Sequence, residues 1–262
     1  MNSYRLFRFP AAVAAVLAAL AASAPGALAA DDARSGVAPA ADSLTGVAEV
    51  GVGSHYIFRG VRRADTNLEA NVELNYGAFS GGVWVMRPRG RGFQDESAFS
   101  LGVHGTIGSG AVWDFGGTLR DYPGANRAAG ATRRSFETQL GSTVALSARW
   151  AATGYLYYDF NLRAWTEEGR LTWRSGLAEA PLVFIFDAFA GHTSARDLLP
   201  EAPRPKWDES YSYYGSTLRA EWRCSPRFSV TPGVQYSDHL NLRGGTATSD
   251  TWWWFVRASY RF

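Results

Sequence analysis

The chain is short of three things that settle most questions of class: cysteine, long apolar runs, and a surplus of either charge. Cys224 is the single cysteine among 262 residues, so no disulfide can form within the chain and the fold must be held by other means. It lies in the polar stretch Arg223-Cys224-Ser225-Pro226 with no histidine near it in sequence, and reads as an incidental turn residue rather than a reactive thiol. Beyond Ala30 no run reaches the roughly eighteen consecutive apolar residues of a membrane helix, which excludes helical spans there. Of 26 basic and 24 acidic residues, Arg5 and Arg8 alone fall in the first 29 positions, which leaves 24 of each sign beyond them. A neutral balance gives no electrostatic case for nucleic acid as a partner.

What is present begins with Arg5 and Arg8, an alanine-rich apolar run from Ala11 to Ala22, and the small-x-small sequence Ala27-Leu28-Ala29. This order is that of a cleavable export signal over residues 1–29. Residues 30–43 are small and polar and are expected to form a flexible lead-in. The ordered domain is expected over 44–262.

There the dominant signal is alternation with period two, clearest from Asn67 to Tyr76, where Leu68, Ala70, Val72 and Leu74 alternate with Glu69, Asn71, Glu73 and Asn75. One face is apolar and the other polar. Phe99, Leu101, Val103 and Ile107 repeat the pattern against Ser100, Gly102, His104 and Thr106, as do Phe136, Leu140, Val144 and Leu146 against Glu137, Gln139, Gly141 and Thr143.

With about ten residues per tilted crossing, strands are expected near 46–59, 67–77, 80–88, 96–107, 111–121, 134–147, 149–160, 167–176, 181–191, 209–223, 227–238 and 250–262. Short spacers at Gly77-Ala78, Gly108-Ser109-Gly110, Ala148, Leu177 to Ala180, and Cys224-Ser225-Pro226 alternate with spacers that are mostly longer and richer in Arg, Gly and Pro. That is the connectivity of an outer-membrane barrel with periplasmic turns and extracellular loops. The fold class is therefore all-β: a single antiparallel transmembrane barrel of about twelve strands. Facing assignments are ambiguous where Trp84 and Met86 compete with Val83 and Val85, and where Tyr155 and Tyr157 oppose Leu156 and Tyr158. A soluble sandwich or lipocalin-like barrel also alternates, but a dry interior enclosed by twelve strands is wider than side chains fill easily.

In the last strand Trp252, Trp254, Val256, Ala258, Tyr260 and Phe262 share one face. Tyr260 and terminal Phe262 resemble the signal by which bacterial barrels are handed to the outer-membrane assembly machinery. Gly53-Ser54-His55-Tyr56-Ile57-Phe58-Arg59-Gly60-Val61, followed by Gly81-Gly82-Val83-Trp84, resembles the opening of the TorF-type family of outer-membrane porins, whose members start with Ser-x-Tyr-x-Phe/Trp-Arg-Gly. The match covers residues 50–86 and departs from the family at Arg62-Arg63. It implies a barrel fold and a transport role without naming a solute.

Polar faces place the acids Glu49, Glu69, Glu73, Asp114, Glu137 and Glu168 and the bases Arg59, Arg120, Arg170, Arg174, Arg219, Arg257 and Arg261 in the lumen. Such groups either line a water-filled path or pair across the barrel and close it. Loops carry Arg62, Arg63, Arg87, Arg89, Arg91, Arg127, Arg133 and Arg134. Guanidinium binds phosphate bidentately, so lipopolysaccharide is an expected partner, with solvated loop charge as the alternative.

None of the four histidines, His55, His104, His192 and His239, has both a serine and a carboxylate as its next neighbours on the same strand face, and no metal-ligand spacing occurs. No enzyme activity, cofactor or metal is expected. Aromatics near strand ends, among them Tyr56, Phe58, Tyr76, Phe79, Tyr122, Trp150, Trp207, Trp222, Trp252 and Tyr260, fit interfacial girdles. Trp253 and Phe255, on the polar register, are the exceptions that could stack on a sugar. The expectation is a porin-like passive channel for small solutes in the outer membrane. The alternatives are a closed structural or adhesive barrel with lipopolysaccharide-binding loops, and an outer-membrane lipid-modifying enzyme.

Overall fold

The structure, a computed structural model, describes residues 43–89, 95–108, 110–125, 133–177, 180–195, 209–240 and 251–262. The export signal, the lead-in up to residue 42, Arg91, Arg127 and Trp207 lie outside the described residues.

Twelve strands close into one antiparallel barrel. In chain order the strands are β1 (Leu44–Gly53), β2 (Tyr56–Phe58), β3 (Val61–Ala64), β4 (Asn67–Tyr76), β5 (Phe79–Pro88), β6 (Glu96–Ile107), β7 (Ala111–Asp121), β8 (Arg134–Ala145), β9 (Trp150–Asp159), β10 (Ala164–Gly176), β11 (Leu182–Ala195), β12 (Glu209–Arg223), β13 (Phe228–Leu240) and β14 (Thr251–Arg261). Each barrel strand pairs with its neighbours in sequence, and β1 closes the ring against β14, with Val47 opposite Arg261 and Gly53 opposite Phe255. β2 and β3 stand apart as a two-stranded hairpin.

The alternation seen in sequence maps onto two surfaces. Leu68, Leu74, Val83, Phe99, Leu101, Phe115 and Leu140 are exposed on the outer wall, while Thr45, Asn67, Glu96, Ser135, Glu137 and Asp187 are buried inside it. Aromatic side chains mark both ends of the outer wall. Tyr76, Phe79, Trp150 and Trp222 lie toward the short turns, and Trp165, Tyr214 and Trp252 toward the other end. An exposed apolar wall over a polar interior is the inverse of a soluble barrel and the signature of a transmembrane one.

Short turns join alternate strand pairs. Tyr76 is opposite Phe79 across Gly77-Ala78, and Gly77 takes a positive φ of 57° that favours glycine. At the β12–β13 turn the Ser225 hydroxyl oxygen accepts hydrogen bonds from the Arg227 and Phe228 amides.

One expected strand ends early. The pattern at 46–59 suggests one continuous strand, but β1 stops at Gly53. Ser54 terminates it: its amide donates to the Trp254 carbonyl at 2.9 Å, and its hydroxyl accepts from the Trp254 amide at 3.1 Å. The chain then leaves the wall. Both ambiguous faces resolve in the same way, with Met86 only 2% exposed and Tyr155 stacked with Tyr157 on the inner register of β9. Tyr56 and Phe58 belong to the hairpin, and Tyr122 is buried, so these three leave the expected girdle.

The two surfaces differ in how they tolerate a polar side chain. Leu101, 77% exposed on the outer wall near the middle of β6, should lose about 2–4 kcal/mol of stability on Leu101→Arg in lipid. Ser100→Asn, one residue away on the inner face, should change it by well under 1 kcal/mol, a surface-type effect. Denaturant titration of vesicle-embedded protein measures both. An unchanged Leu101→Arg would mean that this face meets water.

Candidate functional site

The hairpin is built by its tip. Phe58 is opposite Val61, and the two residues between them, Arg59 and Gly60, both have positive φ, 51° and 75°. That is the signature of a type I′ turn, whose twist matches the strands it joins. Gly60 is required there twice over, since a Cβ would also fall 2.6 Å from the Cβ of Tyr213.

From the end of β1 the hairpin folds inward and meets much of the barrel mouth. Tyr56 packs on Trp84 of β5, ring centroids 5.5 Å apart. Val61 joins a buried cluster with Tyr211 and Tyr213 of β12, against which Phe189 of β11 packs. The Arg63 guanidinium lies over the Tyr122 ring beyond β7.

At the tip Arg59 Nη1 donates to Glu137 Oε2 of β8 at 2.7 Å, with its guanidinium 4.4 Å from the centre of the Tyr157 ring. Arg120 of β7 donates to the other oxygen of Glu137 at 3.4 Å and lies 3.7 Å from Glu96. Glu137 is 4% exposed. Burial works against the Arg59 charge, but Glu137 outweighs it and holds the guanidinium above its usual pKa. Burial, and after it the charge of Arg62, hold the His55 imidazole below its ordinary value.

Beneath the hairpin lies a cavity of about 410 Å³. Its walls include Glu69, Gln139, Glu168, Arg170, Arg219, Trp253, Phe255 and Arg257, and its roof is the segment from His55 to Gly60. Trp253 and Phe255 thus face the lumen. Phe255 is buried, its ring where a Cβ on Gly233 would sit, whereas Trp253 is only partly buried.

The expected lumen charges lie on the inner wall, and most pair along it rather than across it. Arg257 of β14 donates to Glu69 of β4 at 2.8 Å and is 3.7 Å from Glu49 of β1, which lies between them. Arg219 of β12 is 3.1 Å from Asp187 of β11. Arg170 is 3.0 Å from Glu168 on its own strand, and Tyr213 donates to Glu168 at 2.8 Å. Arg261 reaches Glu221 at 2.8 Å, Gln139 donates to Asp114, and Asn75 to Glu73. Arg174, on the inner register of β10, is also engaged. Arg59 departs from expectation: it sits on the hairpin tip, not on a wall strand.

Glu96, Asp187 and Glu221 are lumen carboxylates that alternation did not flag. Asp187 was hidden because Ile185 and Phe189 share its inward register, so this strand looks apolar on both faces.

Among the loop arginines, Arg62 pairs with Asp65 within the hairpin segment and Arg63 is engaged at the mouth. Arg87, Arg89, Arg133 and Arg134 are the exposed ones, with Asp95 near Arg87 and Asp121 near Arg133 and Arg134. His104 faces the lumen opposite Asp114. His192 lies on the outer face of β11, its Nδ1 3.0 Å from the Ser212 hydroxyl. Among the described residues no group of three His, Cys, Asp or Glu side chains is placed to hold a metal ion.

No known family model matches the chain, and no curated protein sequence matches it. Solved structures do share its fold. The KdgM porin aligns with a TM-score of 0.52 at 7% identity, covering 83% of this chain and 99% of that one. The same porin in complex with disordered oligogalacturonate gives 0.51, at the same identity and coverage. The NanC porin gives 0.51 at 8% identity, again over 83% of this chain and 99% of its own. At these identities the likeness concerns the fold: the chain is an antiparallel twelve-stranded barrel, the architecture it shares with these structures.

Proposed function

We propose that the protein is a porin-like passive channel for small solutes in the outer membrane. On this reading residues 1–29 are its export signal and are removed, Tyr260 and Phe262 are read by the barrel assembly machinery, and both ends of the barrel chain face the periplasm. The observation that carries the proposal is the lateral pairing of the lumen charges. Ion pairs between strands that are adjacent or next to adjacent satisfy buried charge while leaving the axis of the barrel unbridged. Twelve strands give a lumen wider than wall side chains fill, and a cavity of about 410 Å³ lies under the hairpin.

A second reading, a closed structural barrel, is favoured by one feature, the hairpin lying across the mouth. In either case the exposed Arg87, Arg89, Arg133 and Arg134 are the residues we assign to lipopolysaccharide phosphates, since guanidinium matches phosphate geometry.

Two measurements follow. Refolded protein lacking residues 1–29 should give steady single-channel steps in a planar bilayer, with a reversal potential near zero in a salt gradient, because acid and base are interleaved along the wall. A correctly folded but silent barrel would favour the structural reading instead. Lipopolysaccharide should raise the melting temperature of the purified barrel, and the rise should shrink in an Arg133→Gln/Arg134→Gln variant. An identical rise in that variant would remove those two arginines from the proposal.

A further inference from the structure

The paired wall charges have one exception in their architecture. Every wall pair joins groups held by the barrel itself, whereas Arg59 reaches Glu137 from an element that is not part of the wall. Of the three arginines on the hairpin, Arg59 is the one that borders the cavity. Four more guanidiniums, Arg120, Arg170, Arg219 and Arg257, border it with the carboxylates Glu69, Glu137 and Glu168. Arg59 is the one of these five that is carried off the wall, on the hairpin.

We infer that the β2–β3 hairpin is the constriction of this pore and that Arg59, seated on Glu137, is the residue whose charge weighs most on its ion selectivity. The inference rests on the channel reading above. Three features make the hairpin a fixed constriction. The Arg59–Glu137 hydrogen bond is 2.7 Å long and its acceptor is buried. The Phe58 ring lies beneath two guanidiniums, Arg59 at 4.7 Å and Arg120 at 4.9 Å from its centre. Val61 is packed on Tyr211 and Tyr213. A charge at the narrowest point of a low-dielectric passage dominates selectivity, because the ion passes it closely and water screens it least there.

The geometry also supplies a clean control. Gly53 and Asn67 are directly opposite each other at the ends of β1 and β4, so an Asn-Gly turn can replace residues 54–66 without breaking the wall. The experiment compares single-channel conductance and reversal potential for the native barrel, this excised variant, Arg59→Gln and Glu137→Gln, all first shown folded by heat-modifiable gel mobility.

Excision should raise the conductance severalfold. Arg59→Gln should shift selectivity toward cations and Glu137→Gln toward anions, two shifts of opposite sign that mere loosening of the hairpin would not produce. Equal conductance in the native and excised barrels would overturn the constriction and leave the channel standing. Open pores with no selectivity shift in Arg59→Gln would overturn the role of Arg59. A silent native barrel that conducts once excised would make the hairpin a plug and overturn passive conduction by the native protein. Silence in both would overturn the channel reading and this inference with it.

Discussion

Closure of β1 onto β14 is the constraint from which the rest of the structure follows. In hydrocarbon an unpaired backbone N–H or C=O costs several kcal/mol, and an open sheet would leave two full edges of them. The seam is made down to its end, where the Gly46 amide donates to the Phe262 carbonyl at 2.8 Å and the Phe262 amide returns a bond to Gly46 at 3.0 Å. Once the ring is closed, each strand has one face toward lipid and one toward the lumen. Every later feature is a consequence of how those two faces are filled.

The lumen of twelve strands is too wide to be packed by wall residues alone and too enclosed to leave charges unpartnered. Lateral ion pairs and the hairpin meet these two demands separately. Arg257 binding Glu69 across Gly51 ties β14, β1 and β4 together at the seam itself, so the charge network also reinforces closure. Tyr213 lies flat where Gly191 offers no side chain, placing its hydroxyl on Glu168. Filling is thus concentrated at the mouth, around the hairpin.

The wall was legible in sequence because period two is a purely local signal. Strands β4, β6, β7 and β8 were readable from their own residues, and the short turns announced themselves by Gly77 and Ser225-Pro226. The hairpin was not legible, because alternation runs on from Val50 through Phe58 while the chain has already left the sheet at Ser54. Nothing local distinguishes Tyr56 in a wall from Tyr56 packed on Trp84. The ambiguous strands failed for the same reason: Trp84, Met86, Tyr155 and Tyr157 are apolar or aromatic residues on a nominally polar face, and Trp84 and Tyr157 are there to meet the hairpin. Which acid meets which base depended on register and shear around the ring, information that no single strand contains. Placing Arg59 on the wall was the natural reading of a strand that turned out to end six residues earlier.

The chemistry of the tip also explains why guanidinium is used there. The chain contains one lysine, Lys206, so its basic character is almost wholly arginine. An ammonium at position 59 could reach Glu137, but it could not at the same time lay a flat, weakly hydrated face over Tyr157 and Phe58. Arg59 does both, donating to the carboxylate while its guanidinium lies 4.4 Å from the centre of the Tyr157 ring and 4.7 Å from that of Phe58. Stacking offsets the desolvation that a buried ion pair incurs, and it fixes the direction in which the guanidinium points. A hairpin three residues long on one side and four on the other is too short to hold itself in place. Its position in the mouth is therefore a property of what Arg59, Phe58, Tyr56 and Val61 touch, and the rigidity of the opening derives from those four contacts rather than from the backbone of the loop.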